Sequence, residues 1–522
     1  MTQMPTASPK IVAVRPAHAL PERRRLFSAL EEAFPVAFRT WADGDAAEAD
    51  ALLAFDAAGS DADVLPTFLV AAGEPAGERI RIAEGDAVDP RVRGVELERQ
   101  AIVASLEPDA EDVLATADGK AVWVRSAATG SHRVGCALSE LEPHHVLRDG
   151  LGSASGIALI ALVQFLRELT AGQDWTPPPL RAAILFDDPN LRWRSYGFID
   201  YARLLEHADA HGYHASMAMI PLDVGPAHRG AARLFRARPD RLSLVFHGNN
   251  HIKRELLAPT DDAAALALSA QALRRIERFE ARHTLRVDRV MTPPHGRCST
   301  HVARALGSLG FDALCAIHPL PWTDTPPPDR LLAGWGPADF AFGCPVIPRA
   351  PISSSHADLA LRAFMDHPLV VYGHHEDVAS GLDLLAQAAA HVNRLGEVEW
   401  TSIGRIAQGN HTLRIDGATA RVRPFSGRLR VDLPDHVTEI TVEAPRDELG
   451  SLVGWSLGDG DPLAFGEPAT CRPGRPLDVR LRRSDEVLAR DVAAPAWRPW
   501  PMLRRAATEV RDRALPLRPA RA

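Results

Sequence analysis

Seven short apolar runs recur between residues 181 and 400, and most are separated by a helix-length segment with an apolar stripe. They are AAILF (182–186), ASMAMI (215–220), LSLVF (242–246), RVMT (289–292), ALCAI (313–317), CPVI (344–347) and LVVY (369–372). Unbroken apolar runs of this length suit strands buried on both faces, as in a parallel sheet. Between them, 196–211 stops at Gly212, 261–283 carries Leu266, Ala270, Leu273 and Ile276 on one face, 299–309 stops at Gly310, and 377–395 runs to Gly396. A glycine just past an apolar-periodic segment is a helix stop signal. Strands alternating with helices predict an α/β catalytic domain, a distorted seven-stranded parallel β/α barrel or a strongly curved sheet, over 181–400. In such folds the chemistry sits where strands end and loops begin.

The flanking sequence reads differently. Residues 1–145 mix strand-like runs (KIVAV, ALLAF, TFLVAAG) with a helical segment at 19–33 and suggest a small α/β domain. Residues 146–180 hold a helix and a proline-rich join, WTPPPLR. The glycines of LRDGLGSASG miss dinucleotide-loop spacing, so Ser153 or Ser155 capping the next helix is the reading taken. HTLRIDG, ARVRPF, RLRVDL and TEITVEAP alternate polar with apolar residues and predict a β-sandwich over 401–490. The arginine-rich, amphipathic tail at 491–522 is expected to be loosely ordered, with a peripheral contact to a membrane surface or a protein as the other reading.

Composition excludes some classes. With 59 basic and 67 acidic side chains, a net charge of −8 offers no global field for nucleic acid. Five scattered cysteines without a CxxC pair argue against a disulfide framework or a cysteine zinc site. The N-terminal apolar run is too short for a signal peptide, and GIALIALVQFL (156–166) is about half of what a bilayer span requires, so no transmembrane segment is expected and a cytoplasmic location is.

The carboxyl ends of the predicted barrel strands carry Asp187-Asp188-Pro189-Asn190, His247-Gly248-Asn249-Asn250-His251, Thr292-Pro293-Pro294-His295-Gly296 and Gly373-His374-His375-Glu376-Asp377. One carboxylate and two imidazoles make a three-ligand set that leaves a coordination position open. A second, adjacent aspartate is then free to take a proton. Each motif also has a plain reading: an Asp pair before proline is a common turn, and HxxxH outside a helix is often a loop with two histidines. It is their joint placement at one end of a single barrel that favours a metal site.

The order of these motifs resembles that of the polysaccharide deacetylases of the NodB-homology type, carbohydrate esterase family four, within the wider glycoside hydrolase/deacetylase superfamily. The resemblance covers about 180–400 and implies a distorted seven-stranded β/α barrel. It makes Asp187 the general base; Asp188, His247 and His251 ligands of a divalent metal, zinc foremost with cobalt, nickel or iron as alternatives; the amide of His295 an oxyanion donor; and His374 or His375 the acid, His374 preferred as the nearer to the strand end. Trp193, Tyr196, Asn250, Trp322 and His375 are the expected substrate contacts. Departures from the family pattern are Pro189 after the Asp pair, Gly248 within the histidine motif, and Thr292 where an arginine holds the base, with Arg289 earlier on the same strand. The implied function is metal-dependent removal of N-acetyl groups from a carbohydrate. The alternatives are a carbohydrate-binding module without catalysis, and a glycoside hydrolase in which Asp223 would be the second acid.

Overall fold

The computed structural model describes residues 8–41, 48–55, 65–71, 75–98, 103–109, 111–143, 145–173, 175–317, 334–445, 450–472, 474–496 and 499–517. Two compact units emerge, one from 1–175 with 327–336 and 355–365, the other from the remainder. Trp322, an expected substrate contact, lies outside the described residues.

The first unit is built on a nine-stranded sheet. Strands Val36–Thr40, Lys10–Arg15, Ala51–Phe55, Thr67–Val70 and His132–Val134 run parallel, and the sheet continues antiparallel from His132–Val134 through Lys120–Arg125. The apolar stretch from 156 becomes the helix Gly156–Thr170, buried almost all round. Its one interior amide, Gln164, donates to the Ala87 carbonyl at 2.7 Å. Ser155, the residue before that helix, makes no capping side-chain hydrogen bond, and Ser153 Oγ donates to the Gly150 carbonyl at 2.7 Å. The helix expected at 19–33 is broken at Arg23 into Ala19–Glu22 and Arg24–Ala33.

In the second unit, seven parallel strands close on themselves among the described residues: Arg181–Asp187, Ala215–Met219, Leu242–His247, Val290–Thr292, Ala313–Ala316, Cys344–Pro351 and Leu369–Gly373, which pairs back onto the first. These are the seven apolar runs of the sequence. Helices Tyr201–His211, Asp262–His283 and Thr300–Ser308 begin at Asp200, Asp261 and Ser299, whose side-chain oxygens accept the free backbone N–H groups of the first turn. Two expected helices start late. Ser195–Tyr196 pairs with Ile199–Asp200 ahead of the first, and His375–Val378 forms a 3₁₀ turn ahead of Asp383–Asn393.

Side chains alternate along a strand, and one face of each strand fills the barrel. Ala183, Leu185, Ala218, Val245, Val290, Ala313, Cys315, Ile347 and Val370 form one buried cluster, joined by Ile403, Ile406 and Ala407 of the short helix Ile403–Gln408. Two residues further along the same inward face come Asp187 after Leu185, His247 after Val245, Thr292 after Val290, Arg349 after Ile347 and Tyr372 after Val370. The barrel core thus ends, at the carboxyl side of its strands, in a layer of polar side chains.

Past the barrel, a four-stranded sheet (His411–Asp416, Thr419–Pro424, Glu439–Val442, Pro468–Thr470) and a three-stranded one (Arg428–Val431, Leu477–Arg483, Leu452–Leu457) share a core that includes Val422, Ile440, Trp455 and Val479. This is the expected sandwich. The tail departs from expectation: Trp500–Ala514 is a helix packed on the barrel rim. No described helix is long and apolar enough to cross a membrane.

Candidate metal centre

The polar layer is wired by direct contacts. Arg349, 1% exposed, places one Nη1 2.9 and 3.0 Å from the two oxygens of Asp187, and its guanidinium lies 4.3 Å over the Tyr372 ring. Burial alone would raise the Asp187 pKa; Arg349 and His247 together outweigh it and hold the carboxyl below its ordinary value. Arg289 plays no such part, because it is paired with Glu280 at 2.8 Å. The arginine that pairs with Asp187 therefore comes from another strand, and sequence reasoning overlooked it. Its signal was a lone arginine inside the apolar run CPVIPRAP.

His247 Nδ1 lies 3.1 Å from the Thr292 carbonyl and 3.0 Å from its hydroxyl. Thr292 Oγ1 already donates to the Phe246 carbonyl at 2.8 Å. Both oxygens are acceptors for the ring, so Nδ1 carries the proton and Nε2 presents its lone pair, 3.5 Å from Asp188 Oδ1. His251 Nε2 lies 3.1 Å from the same oxygen. Asp188, His247 and His251 each bring one ligand atom to within 4.8 Å of the others. Burial, above all, lowers the pKa of His247 to about 4 and of His251 to about 3, so both rings are neutral at pH 7, the form that binds a metal. Asp188 Oδ1 and His251 Nδ1 are buried with no hydrogen-bond partner. Two neutral imidazoles, that of His247 with its tautomer fixed by Thr292, facing an unsatisfied carboxylate oxygen fit a divalent cation.

The backbone bends sharply to bring these groups together. Asp188, His251 and His295 all have positive φ (81°, 55° and 60°), a region that side chains other than glycine, asparagine and aspartate enter at a cost. Gly248 has φ 59°, and a Cβ there would meet Pro294 Cγ at 2.6 Å and Glu255 Oε2 at 2.9 Å. Glycine at this position therefore has a local cause. The loop is braced from beneath by Glu255, whose buried carboxylate accepts the backbone N–H groups of Asn249, Asn250 and His251 at 3.0, 2.7 and 2.9 Å. Arg275 holds Asn250 Oδ1 at 2.9 Å. Neither brace was foreseen.

Other expected site residues lie nearby in different settings. His374 is exposed at the end of the seventh strand, near enough that its charge acts on Asp187, and its N–H is held by Asp377 at 2.7 Å. His295 is exposed on its turn, its ring centroid 5.8 Å from that of His251. His375 points elsewhere. It is buried against Tyr196 and Phe198, with Nε2 3.4 Å from Glu376 and 3.9 Å from Asp512, which corrects its assignment as a substrate contact. Tyr196 is fully buried with its hydroxyl donating to Asp512 at 2.9 Å, so it offers no sugar platform. Asn250 has its side-chain oxygen taken by Arg275. Trp193 is an exposed ring, with Arg513 5.0 Å above it. Asp223 is buried in a two-pronged pair with Arg505 at 2.9 and 2.6 Å, which removes it as a free second acid.

No family model and no curated protein matches the chain. Solved structures do. A putative polysaccharide deacetylase from Mycobacterium smegmatis is 14% identical, with 45% of this chain and 95% of that one aligned at a TM-score of 0.32. A family 4 carbohydrate esterase from Streptomyces lividans, in complex with acetate, is 13% identical over 42% of this chain and 86% of its own, TM-score 0.24. A CE4-family pseudoenzyme from Bacillus anthracis is 14% identical over 44% and 66%, TM-score 0.27. Likenesses at these scores carry no argument, and the barrel stands on its own strand pairing.

Proposed function

We propose that the chain is a divalent-metal-dependent hydrolase that removes an N-acetyl or other acyl group from a carbohydrate amide. The observation that carries the reading is the juxtaposition of two aspartates in different settings. Asp188 faces two neutral histidines with an oxygen unsatisfied, and Asp187 beside it is held ionised by Arg349. A bound divalent ion on Asp188, His247 and His251 would supply Lewis acidity toward the attacking water and the amide carbonyl. Asp187 takes the proton of that water, a role worth roughly 10²–10⁴ in rate. Arg349 keeps its carboxylate ionised and oriented. The N–H of His295 donates to the oxygen that gains negative charge, a contribution of roughly 3 kcal/mol for one such donor. His374, exposed at the end of the seventh strand, gives a proton to the departing amine as the C–N bond breaks. Acetate and a free amine are the products.

The direct test is acetate release from N-acetylglucosamine oligomers, with zinc, cobalt or nickel supplied in turn to wild type and Asp187→Asn. The reading expects release by wild type, loss of about 10²-fold or more in the variant, and equal metal content in both. Full activity in the variant would remove Asp187 as the base. Tight oligomer binding without product under every metal would instead make the barrel a carbohydrate-binding module.

A further inference from the structure

The helix Trp500–Ala514 is amphipathic in an unusual sense, since its charged side is the buried one. Arg505, Glu509 and Asp512 face the barrel rim and are buried. Arg505 pairs with Asp223, Glu509 with Arg192 at 2.7 Å, and Asp512 accepts from Tyr196. Arg504 donates to the carbonyl of His251. These polar contacts attach the helix without using its apolar residues. Trp500, Leu503, Ala507 and Val510, spaced three, four and three apart, share one stripe on the opposite side. Trp500, Leu503 and Val510 are 68, 63 and 70% exposed, and Met502, off the stripe on the same helix, is 51% exposed. Half of the large apolar side chains exposed among the described residues thus sit on this one element, where chance scatter would spread them.

Charge says what covers the stripe. Between 497 and 522 the only acids are Glu509 and Asp512, both turned inward, against seven arginines, in a chain whose net charge is −8. Arg511 lies beside the apolar stripe on the helix surface, its side chain 61% exposed and paired with Asp512 at 2.6 Å. A second copy docking on the same face would set arginine against arginine. An anionic surface with an apolar layer beneath it matches both features, as for interfacial helices that carry Trp and Leu on one side and Arg beside it.

We infer that the 500–514 helix docks the protein on an anionic lipid surface, burying Trp500, Leu503 and Val510 in the interface while Arg505, Glu509 and Asp512 keep the helix fastened to the barrel. This inference does not depend on the reaction catalysed. The test is flotation of the full chain with phosphatidylglycerol/phosphatidylcholine vesicles and with phosphatidylcholine alone. Wild type should float with the anionic vesicles and be released by salt. A Leu503→Glu, Val510→Glu double variant with an unchanged melting curve should bind at least about tenfold more weakly. Leu488→Glu, at an exposed leucine outside the helix, should bind as wild type. Wild type that stays with neither vesicle overturns the inference, as does equal binding by the double variant. Concentration-dependent dimers lost in the double variant, without vesicle binding, would give the face to a second copy and overturn it as well.

Discussion

Removing the Arg349 guanidinium would leave the Asp187 carboxylate buried and unpaired, because one Nη1 contacts both of its oxygens. Breaking a buried pair from one side costs about 3–5 kcal/mol. Arg349→Met is therefore expected to lower unfolding free energy by about that amount in denaturant titrations, and to reduce acetate release more than it reduces metal content. Arg349→Lys should recover only part of either, since an ammonium cannot reproduce the guanidinium's stack over the Tyr372 ring. A second residue-scale prediction concerns pH. His214 is fully buried, its ring nitrogens 2.9 Å from the Asp240 carbonyl and 2.9 Å from Ser243 Oγ, and burial lowers its pKa from 6.5 to about 4. The folded state favours the neutral ring, so the unfolded chain binds more protons between these values. The stability it contributes is present in full above pH 6.5 and is lost as the pH falls from there toward 4, on the order of 3 kcal/mol. Thermal melts across that range should show the slope, and His214→Asn should flatten it; an unchanged slope would assign it to other groups.

At the level of elements, the seven barrel strands were legible because strands buried on both faces read as unbroken apolar runs, and the motifs at their ends follow from the inward alternation that carries Leu185 to Asp187 and Val245 to His247. His247 of the candidate metal triad is legible for the same reason. Arg349 is not, because its partner is 162 positions away in sequence and only barrel closure brings the two together. Aromatics near strand ends misled: nothing in the local sequence tells that Tyr196 and His375 turn toward Asp512 on the terminal helix. That helix is visible as amphipathic, but periodicity gives two faces without saying which is buried. The answer lies in Asp223 and Arg192, the rim charges that its own charges meet. The histidine loop supplies a prediction of its own. Glu255→Ala would strand three backbone N–H groups, and each unsatisfied buried donor costs about 1–3 kcal/mol. The variant should fold less stably and bind metal more weakly even though Glu255 touches no metal-ligating atom. Gly248→Ala should do the same through positive φ and the clash with Pro294, and calorimetric metal titration would read both.

Across the whole molecule, a barrel interior closed at one end by Ile403 and Ile406 and polar at the other holds its charged groups in pairs, with the terminal helix as one source of partners. Arg505→Ala leaves Asp223 buried without its cation, so the melting temperature should fall clearly, while Arg511→Ala, an exposed pair member on the same helix, should change it little. Equal effects would mean the helix is not fastened through the buried pair. The central claim is that Asp188, His247 and His251 form a divalent-metal centre. Its most direct test is metal content by mass spectrometry on purified wild type and His251→Ala, each after reconstitution with zinc and removal of loosely bound ions. The account predicts about one ion per chain in wild type and loss of it in the variant. Absence of metal from both proteins, or equal content in both, would contradict it.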